Sequence, residues 1–376
     1  TTSGTATWQP RGWLTARSAV GLDYLAYTDE QNVLNGQGCK TCATERQGKR
    51  QLLRWTQSKY SADFNATANV RATQRIGSKT SLGTQFNFDD LFGVSSTADI
   101  LPPGSLTLTA GAQKTLTEQT NQVKTIGQYL EQQFSLDDRL FVTGAMRVDA
   151  NSAFGRESRS RLYPKVSGSW IAREGARGWF NDVRARAAYG QSGLQPGALA
   201  SLTYDAAVTA SIFGAANTPG AVVGGKGDPE LKPERSSEFE GGAQVGLLSN
   251  RVRLGLTLYN KTTKDALVSR NVPPSLGTTA TRVENIGTVN NKGIELSLNA
   301  RLWESPTLGW DVQVEASGNK NRLVSLGAGV PPLVGFGFKN IPNYPLFGIW
   351  WPELKSWNDA NKDGFIARKK EVDFLV

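Results

Sequence analysis

The sequence has no histidine, only two cysteines and one methionine, and no apolar run longer than a few residues in its 376. Without imidazole there is no Ser-His-Asp catalysis, no imidazole zinc centre and no ordinary proton-transfer group near neutrality. The short apolar runs leave no segment able to cross a bilayer as a helix, and no signal-peptide core at the start. Lys and Arg number 42 against 33 Asp and Glu, a net charge of +9, but the cations are dispersed along the chain and form no dense block. A nucleic-acid partner is therefore not expected. Both cysteines lie in GQGCKTCATE, as Cys39 and Cys42. Neither a βαβ context for thioredoxin-like chemistry nor two further zinc ligands accompanies them. A small disulfide pinning a surface loop in an oxidising compartment is one reading, and unpaired thiols are the other.

What is present is alternation. Forty glycines, ten tryptophans and nine tyrosines suit a strand-and-turn protein. In YSADFNATANVR the even positions Tyr60, Ala62, Phe64, Ala66, Ala68 and Val70 are apolar, and the odd positions from Ser61 to Arg71 are polar. This is a two-faced strand. A soluble sheet would lay the apolar face on a core, whereas an outer-membrane barrel turns it to lipid and lines a wet lumen with the other face.

Comparable alternation recurs in about eleven segments. They run from Trp13 to Tyr27, 60–71, Lys79 to Asp89, Val123 to Phe134, Leu140 to Asp149 and Tyr163 to Ile171. Further along come Val183 to Gly190, Ser237 to Val245, Arg251 to Lys261, Gly293 to Leu302 and Trp310 to Asn319. The pair around LSNR is the clearest hairpin. The connections alternate in length: short near 72–78, 135–139, 173–182, 247–250 and 303–309, and long near 28–51, 91–114, 150–161, 191–235, 262–291 and from 320 onward. Short turns at one rim and long loops at the other are what an up-and-down outer-membrane barrel requires. Phe134, Phe141, Trp170, Trp179, Phe180, Trp303 and Trp310 flank the short links, where an interfacial aromatic girdle belongs. The expected fold is all-β, an antiparallel up-and-down transmembrane β-barrel with long external loops and short periplasmic turns.

Two motifs lie in the last long connection. Asp359-x-Asn361-x-Asp363-Gly364-x-Ile366 matches the first half of an EF-hand-like calcium loop, with the Phe365 carbonyl in the seventh position. The second half departs from it, since Ala367 and Lys370 stand where ligands belong and Glu371 comes one residue late. The segment either binds Ca2+ through Asp359, Asn361, Asp363, Phe365 and a bulged Glu371, or is an ion-free Asx-rich turn. Upstream, YPLFGIWWPELKSW clusters Trp350, Trp351 and Trp357, which suit a partner interface or a ligand platform. VVGGKGDP lacks the spacing of a phosphate loop, and the prolines of GDPELKPERSSEFE read as a rigid strand entry.

DRLFVTGAMRVDANSAFG, AAYGQSGLQPGA, GDPELKPERSSEFEGG, ENIGTVNNKGIELSL and YPLFGIWW followed by NDANKDGFI occur in this order. On these stretches the chain resembles the SusC/RagA-type TonB-linked outer-membrane receptors. The resemblance implies a barrel of about 22 strands around an N-terminal plug. It also implies localisation in the cell outer membrane, contact with outer-membrane lipid, and import of oligosaccharides or peptides driven by the TonB complex. A SusD-like surface lipoprotein is the implied partner. This sequence shows no plug domain, TonB box or signal peptide before Thr1 and no further strands after the DANKDG loop. Residues 1–376 are therefore expected to be an interior section of one receptor barrel domain. Ligand specificity is expected in 28–51, 191–235 and 320–358, and no catalytic residue is assigned. The rival expectation is a soluble or surface-attached structural or adhesion β-protein.

Overall fold

The computed structural model describes residues 1–376 except 38–44, 156–159, 176–178, 213–214, 277–280, 328–329, 336, 352, 359–371 and 376. The chain divides into two compact units, Thr1–Ile171 with Gly190–Pro233 and Ser269–Val283, and Ala172–Tyr189 with Glu234–Val268 and Glu284–Val376.

In the first unit β1 (Thr2–Arg11), β2 (Leu14–Val33), β3 (Lys49–Arg71), β4 (Ile76–Asp99), β5 (Gln113–Leu136), β6 (Leu140–Asn151) and β7 (Ser160–Glu174) form an antiparallel meander. Each pairs with the next, and β3 with β4 and β4 with β5 pair without a register shift. The last three residues of β7 fall in the second unit, the strand β8 (Phe180–Leu194) is likewise divided between the units, and β9 (Thr203–Ile212) with β10 (Ala215–Lys226) makes a separate two-stranded ribbon. In the second unit β11 (Glu234–Leu247) and β12 (Val252–Lys264) are adjacent, and the strands β13 (Leu267–Asn271) and β14 (Thr281–Asn285), which pair as a ribbon, are each divided between the units. Then β15 (Thr288–Glu304) pairs with β12 and with β16 (Gly309–Ser325). Short pieces complete the chain: β17 (Leu333–Gly335), β18 (Phe338–Asn340), β19 (Gly348–Ile349), β20 (Glu353–Trp357) and β21 (Val372–Leu375). No helix among the described residues is long and apolar enough to cross a membrane, which leaves crossing by strands open.

The all-β antiparallel reading holds, with three corrections. A strand over TSGTATWQPR precedes the first expected one, because its side chains on one face are mostly Thr and Ser and the alternation carries little hydrophobic contrast. The strands also run well past their alternating cores: β3, β4 and β5 have 23, 24 and 24 residues. Charged and amide residues on both faces hide these extensions from a hydrophobicity count, while the backbone ladder continues regardless. Finally, the 191–235 and 262–291 connections contain the β9–β10 and β13–β14 ribbons, and the stretch from 320 onward contains β17 to β21, where β21 is a strand beyond the DANKDG loop that the weak alternation of its four residues hides.

The short turns are built for reversal. Asp137 and Asp138 both have φ near +52°, and Arg139 N–H donates to the Leu136 carbonyl at 3.0 Å. This is the primed geometry that matches strand twist, and Asp tolerates it better than most residues. At the β11–β12 turn Leu248, Ser249 and Asn250 all have positive φ. Fully buried Asn181 supports this turn, accepting a hydrogen bond from Ser249 N–H at 2.7 Å.

A conventional interior is nearly absent. The one buried cluster, among the described residues, is Val289, Leu323 and Leu326, with Val330, Leu333 and Leu346 packed on it. Large apolar side chains along the strands lie exposed instead. A soluble sandwich would cover them with a second sheet.

Candidate functional site

Antiparallel register sorts the side chains into two faces. On one, the rows of the first unit run Val20–Ala62–Phe86–Ile126–Ala150, then Phe64–Thr84–Gln128–Val148–Leu162, then Ala66–Leu82–Leu130–Met146–Pro164. At the short-turn end the row is Ile76–Leu136–Leu140–Trp170, and all four are exposed. At the other end Tyr60 stacks on Phe88 at 5.8 Å, and Lys124 lies 5.2 Å from the Phe88 ring centroid.

The distance between these edges is decisive. From Phe88 to Ile76 is about twelve residues at roughly 3.3 Å each, ~40 Å along the strand. At a tilt of about 45° that is ~28 Å of height, close to the ~25 Å apolar band of an outer-membrane barrel. Three polar side chains inside the band satisfy one another: Gln132 accepts from Thr80 Oγ1 at 2.6 Å and donates to Ser78 Oγ at 2.9 Å. In a hydrocarbon setting that pairing removes the cost of an orphan amide.

The second unit repeats the pattern with Leu247–Val252–Ala300–Val312, Val245–Leu254–Leu298–Val314, Ala243–Leu256–Leu296–Ala316 and Gly241–Leu258–Ile294–Gly318. Trp303 opposite Trp310 closes it at the short-turn end. Six of the seven expected girdle residues are large exposed side chains, Phe134, Trp170, Trp179, Phe180, Trp303 and Trp310. Phe141 is the exception. It pairs with Ser135 and Ser169 on the polar face and is half-buried.

The polar face carries a charged and amide network. Arg147 donates to Asp149 at 2.6 Å and to Gln85 at 3.0 Å, Gln133 donates to Thr143 at 3.2 Å, and Gln57 donates to Asp89 at 2.8 Å. In the second unit Arg186 donates to Thr257 at 2.8 Å and lies 3.4 Å from Glu240. Tyrosines lie across glycines on this face, Tyr129 over Gly83 and Tyr259 over Gly293, so closely that a Cβ on either glycine would overlap the ring. The rings cover bare backbone and pin the register. None of these groups was singled out from the sequence, since their partners lie on different strands.

At the short-turn rim Arg75 grips Asp137 with two hydrogen bonds, Nε to Oδ1 at 2.7 Å and Nη2 to Oδ2 at 2.6 Å, which ties two neighbouring turns. The hydrogen bond holds the Asp137 carboxyl below its ordinary range and raises the Arg75 guanidinium.

The aromatic segment divides. Trp350 packs edge-on against Tyr344 at 4.8 Å with Lys339 at 5.9 Å from its ring, and its indole N–H is buried with no hydrogen-bond partner among the described residues. The same segment is anchored on β16, where Leu323 N–H donates to the Tyr344 carbonyl at 2.9 Å and Leu346 N–H donates to Asn321 at 2.8 Å. Trp351 and Trp357 are exposed, as are Phe347 and Ile349. Cys39, Cys42, Asp359, Asn361, Asp363, Phe365 and Glu371 lie outside the described residues.

The family model described as TonB dependent receptor-like, beta-barrel matches residues 1–364. TonB-dependent receptor P26 of Formosa agariphila is 28% identical over 201 residues, 52% of this chain and 20% of that protein. TonB-dependent receptor SusC of Bacteroides thetaiotaomicron is 25% identical over 209 residues, again 52% and 20%. The chain thus spans about a fifth of the length of the curated relatives it matches. Among solved structures, the RagAB peptide transporter superposes at a TM-score of 0.78 and 19% identity, over 95% of this chain and 40% of that one. The siderophore receptor PiuA from Acinetobacter baumannii gives 0.55 at 12% identity, over 90% and 48%. At such identities the structural likeness shows the fold alone.

Proposed function

From its place in the TonB dependent receptor-like β-barrel family, to which the chain belongs, we propose that it supplies wall and ligand-facing loops of an energised outer-membrane importer. Its cargo is an oligopeptide or oligosaccharide too large for a porin. The observation that carries this reading is the two-faced strand: apolar rows edged by aromatics on one side, and a hydrogen-bonded charged surface on the other. Hydrocarbon covers the first face, and the second lines a wet, plug-filled lumen. Residues 1–376 are read as an interior section of a barrel domain whose plug and remaining strands are supplied elsewhere in the receptor.

Ligand or a SusD-like lipoprotein meets the long-connection rim, with Trp351 and Trp357 as contacts because their rings are exposed there. Trp350 serves differently: it is packed against Tyr344 and positions that segment. The proposed Ca2+ loop of Asp359, Asn361, Asp363, Phe365 and Glu371 would stiffen the same rim, and a Cys39–Cys42 disulfide would pin the 34–48 connection. The TonB complex drives release into the periplasm, and the chain contributes no catalytic residue.

The test is uptake of fluorescent oligopeptides and oligosaccharides by cells carrying or lacking the full-length receptor, with and without TonB. Receptor-dependent uptake that stops when TonB is depleted is the expected result. A receptor recovered in the soluble fraction, or uptake unchanged by its deletion, would refute the proposal.

A further inference from the structure

Beyond the apolar rows, the same face of β11, β12, β15 and β16 changes character at once. The row after Gly241–Leu258–Ile294–Gly318 is Phe239–Asn260–Lys292–Lys320, the next is Ser237–Thr262–Asn290–Arg322, and in the last Arg235 stands opposite Lys264. Five cations, Arg235, Lys264, Lys292, Lys320 and Arg322, occupy this band, and all are exposed. No Asp or Glu occupies that face of the four strands at any paired position. Glu234, Glu238, Glu240, Glu295, Glu315 and Asp311 point to the polar face, and past the register shift at the short-turn end Glu304 joins Asp311 on Arg301.

Arg235, Lys264, Lys292 and Lys320 make no ion pair among the described residues, and Arg322 donates only to Asn343. Lys292 and Lys320 face each other on neighbouring strands, an arrangement that repels unless an anion sits between them. The first unit provides a contrast. There Glu30, Asp90 and Glu118 are interspersed on the corresponding face with Arg50, Arg54, Lys114 and Lys124, and Arg50 pairs with Glu30 at 3.3 Å.

We infer that this acid-free basic band binds the phosphate groups of membrane lipids in the leaflet on the long-connection side. Its three rows cover about 13 Å along the strands, hence ~9 Å in depth at a tilt of about 45°. A lipid headgroup layer is roughly 5–8 Å thick per leaflet, so the band fits it. The charge-free apolar rows directly below would hold the acyl chains of the same lipids. Ammonium and guanidinium groups form strong charge-assisted hydrogen bonds to phosphate, and a phosphate between Lys292 and Lys320 cancels their repulsion. The inference rests on the membrane-spanning reading above.

The experiment uses the full-length receptor in dodecyl maltoside, probed by native mass spectrometry with diphosphoryl lipid A, phosphatidylcholine and inorganic phosphate. Lipid A is expected to be retained over phosphatidylcholine, with retention at least about tenfold weaker in Lys292→Gln/Lys320→Gln and again in Arg235→Gln/Lys264→Gln. Lys261→Gln, on the opposite face, should leave it unchanged. Membrane seating is read separately, by quenching of tryptophan fluorescence with brominated phosphatidylcholine. Intact quenching with lipid A binding equal in wild type and both double variants would overturn the inference alone. Displacement of lipid A by millimolar phosphate, or by a soluble acidic protein, would also overturn it, since the band would then be a general anion surface. Loss of quenching in the wild type would overturn the membrane reading itself.

Discussion

A buried arginine distinguishes lipid from solvent on the apolar face. Leu256 lies in the Ala243–Leu256–Leu296–Ala316 row, two rows below Lys292 and Lys320 and well above the Trp303–Trp310 pair, so it sits near the middle of the band. It is 39% exposed, which in water would make a charged replacement harmless. In hydrocarbon Leu256→Arg should cost about 2–4 kcal/mol. At ~1.4 kcal/mol per tenfold, the unfolded fraction rises by roughly 30 to 1,000-fold. Leu258→Arg, one row from the lysines, should cost about 0–1 kcal/mol. Gln244→Arg, exposed on the polar face next to this row, should stay within about 0.5 kcal/mol. The assay is reversible urea unfolding of the full-length receptor in phospholipid vesicles, followed by tryptophan emission. Equal small effects at Leu256 and Leu258, or a larger effect at Gln244, would refute the assignment of this face to lipid.

Three further outcomes follow from the geometry. Because Arg75 lowers the folded-state pKa of Asp137, the stabilisation this carboxylate provides is complete above its unfolded value and lost as pH falls through the depressed folded value. A carbon-detected titration should place the Asp137 midpoint below an ordinary aspartate, and Arg75→Gln should return it to the ordinary range; no movement would contradict the hydrogen-bonded pair. Trp350→Ala should loosen the 340–350 segment, seen as faster amide exchange at Leu323 and Leu346, while Trp351→Ala and Trp357→Ala leave exchange unchanged and weaken partner or ligand binding by about 1–2 kcal/mol in a binding titration. For the calcium loop, calorimetric titration of chelator-treated receptor should show one saturable site that Asp359→Asn with Asp363→Asn abolishes; absence of saturation at millimolar Ca2+ would leave an ion-free turn.

Much of the fold was legible because its signal is local. Alternation at period two in YSADFNATANVR, the length pattern of the connections and six of seven girdle aromatics each need only neighbouring residues to be recognised. Segments without hydrophobic contrast were invisible for the same reason: β1 and the distal halves of β3, β4 and β5 are held by ladder hydrogen bonds that any side chain permits. Phe141 was misplaced because proximity to a short turn does not say which face a residue occupies, and its register with Ser135 and Ser169 does.

By itself the sequence determined the two-sidedness of the strands and the polarity of the connections, since backbone geometry sends successive side chains to opposite faces whatever lies beside them. Only the tertiary structure decided which side chains become neighbours. Arg75 meets Asp137, Arg147 meets Gln85, and Lys292 meets Lys320, across separations that no local pattern encodes. Five of the cations that lie dispersed along the chain are gathered into one band because pairing four strands in register brings residues 235, 264, 292, 320 and 322 to a single face.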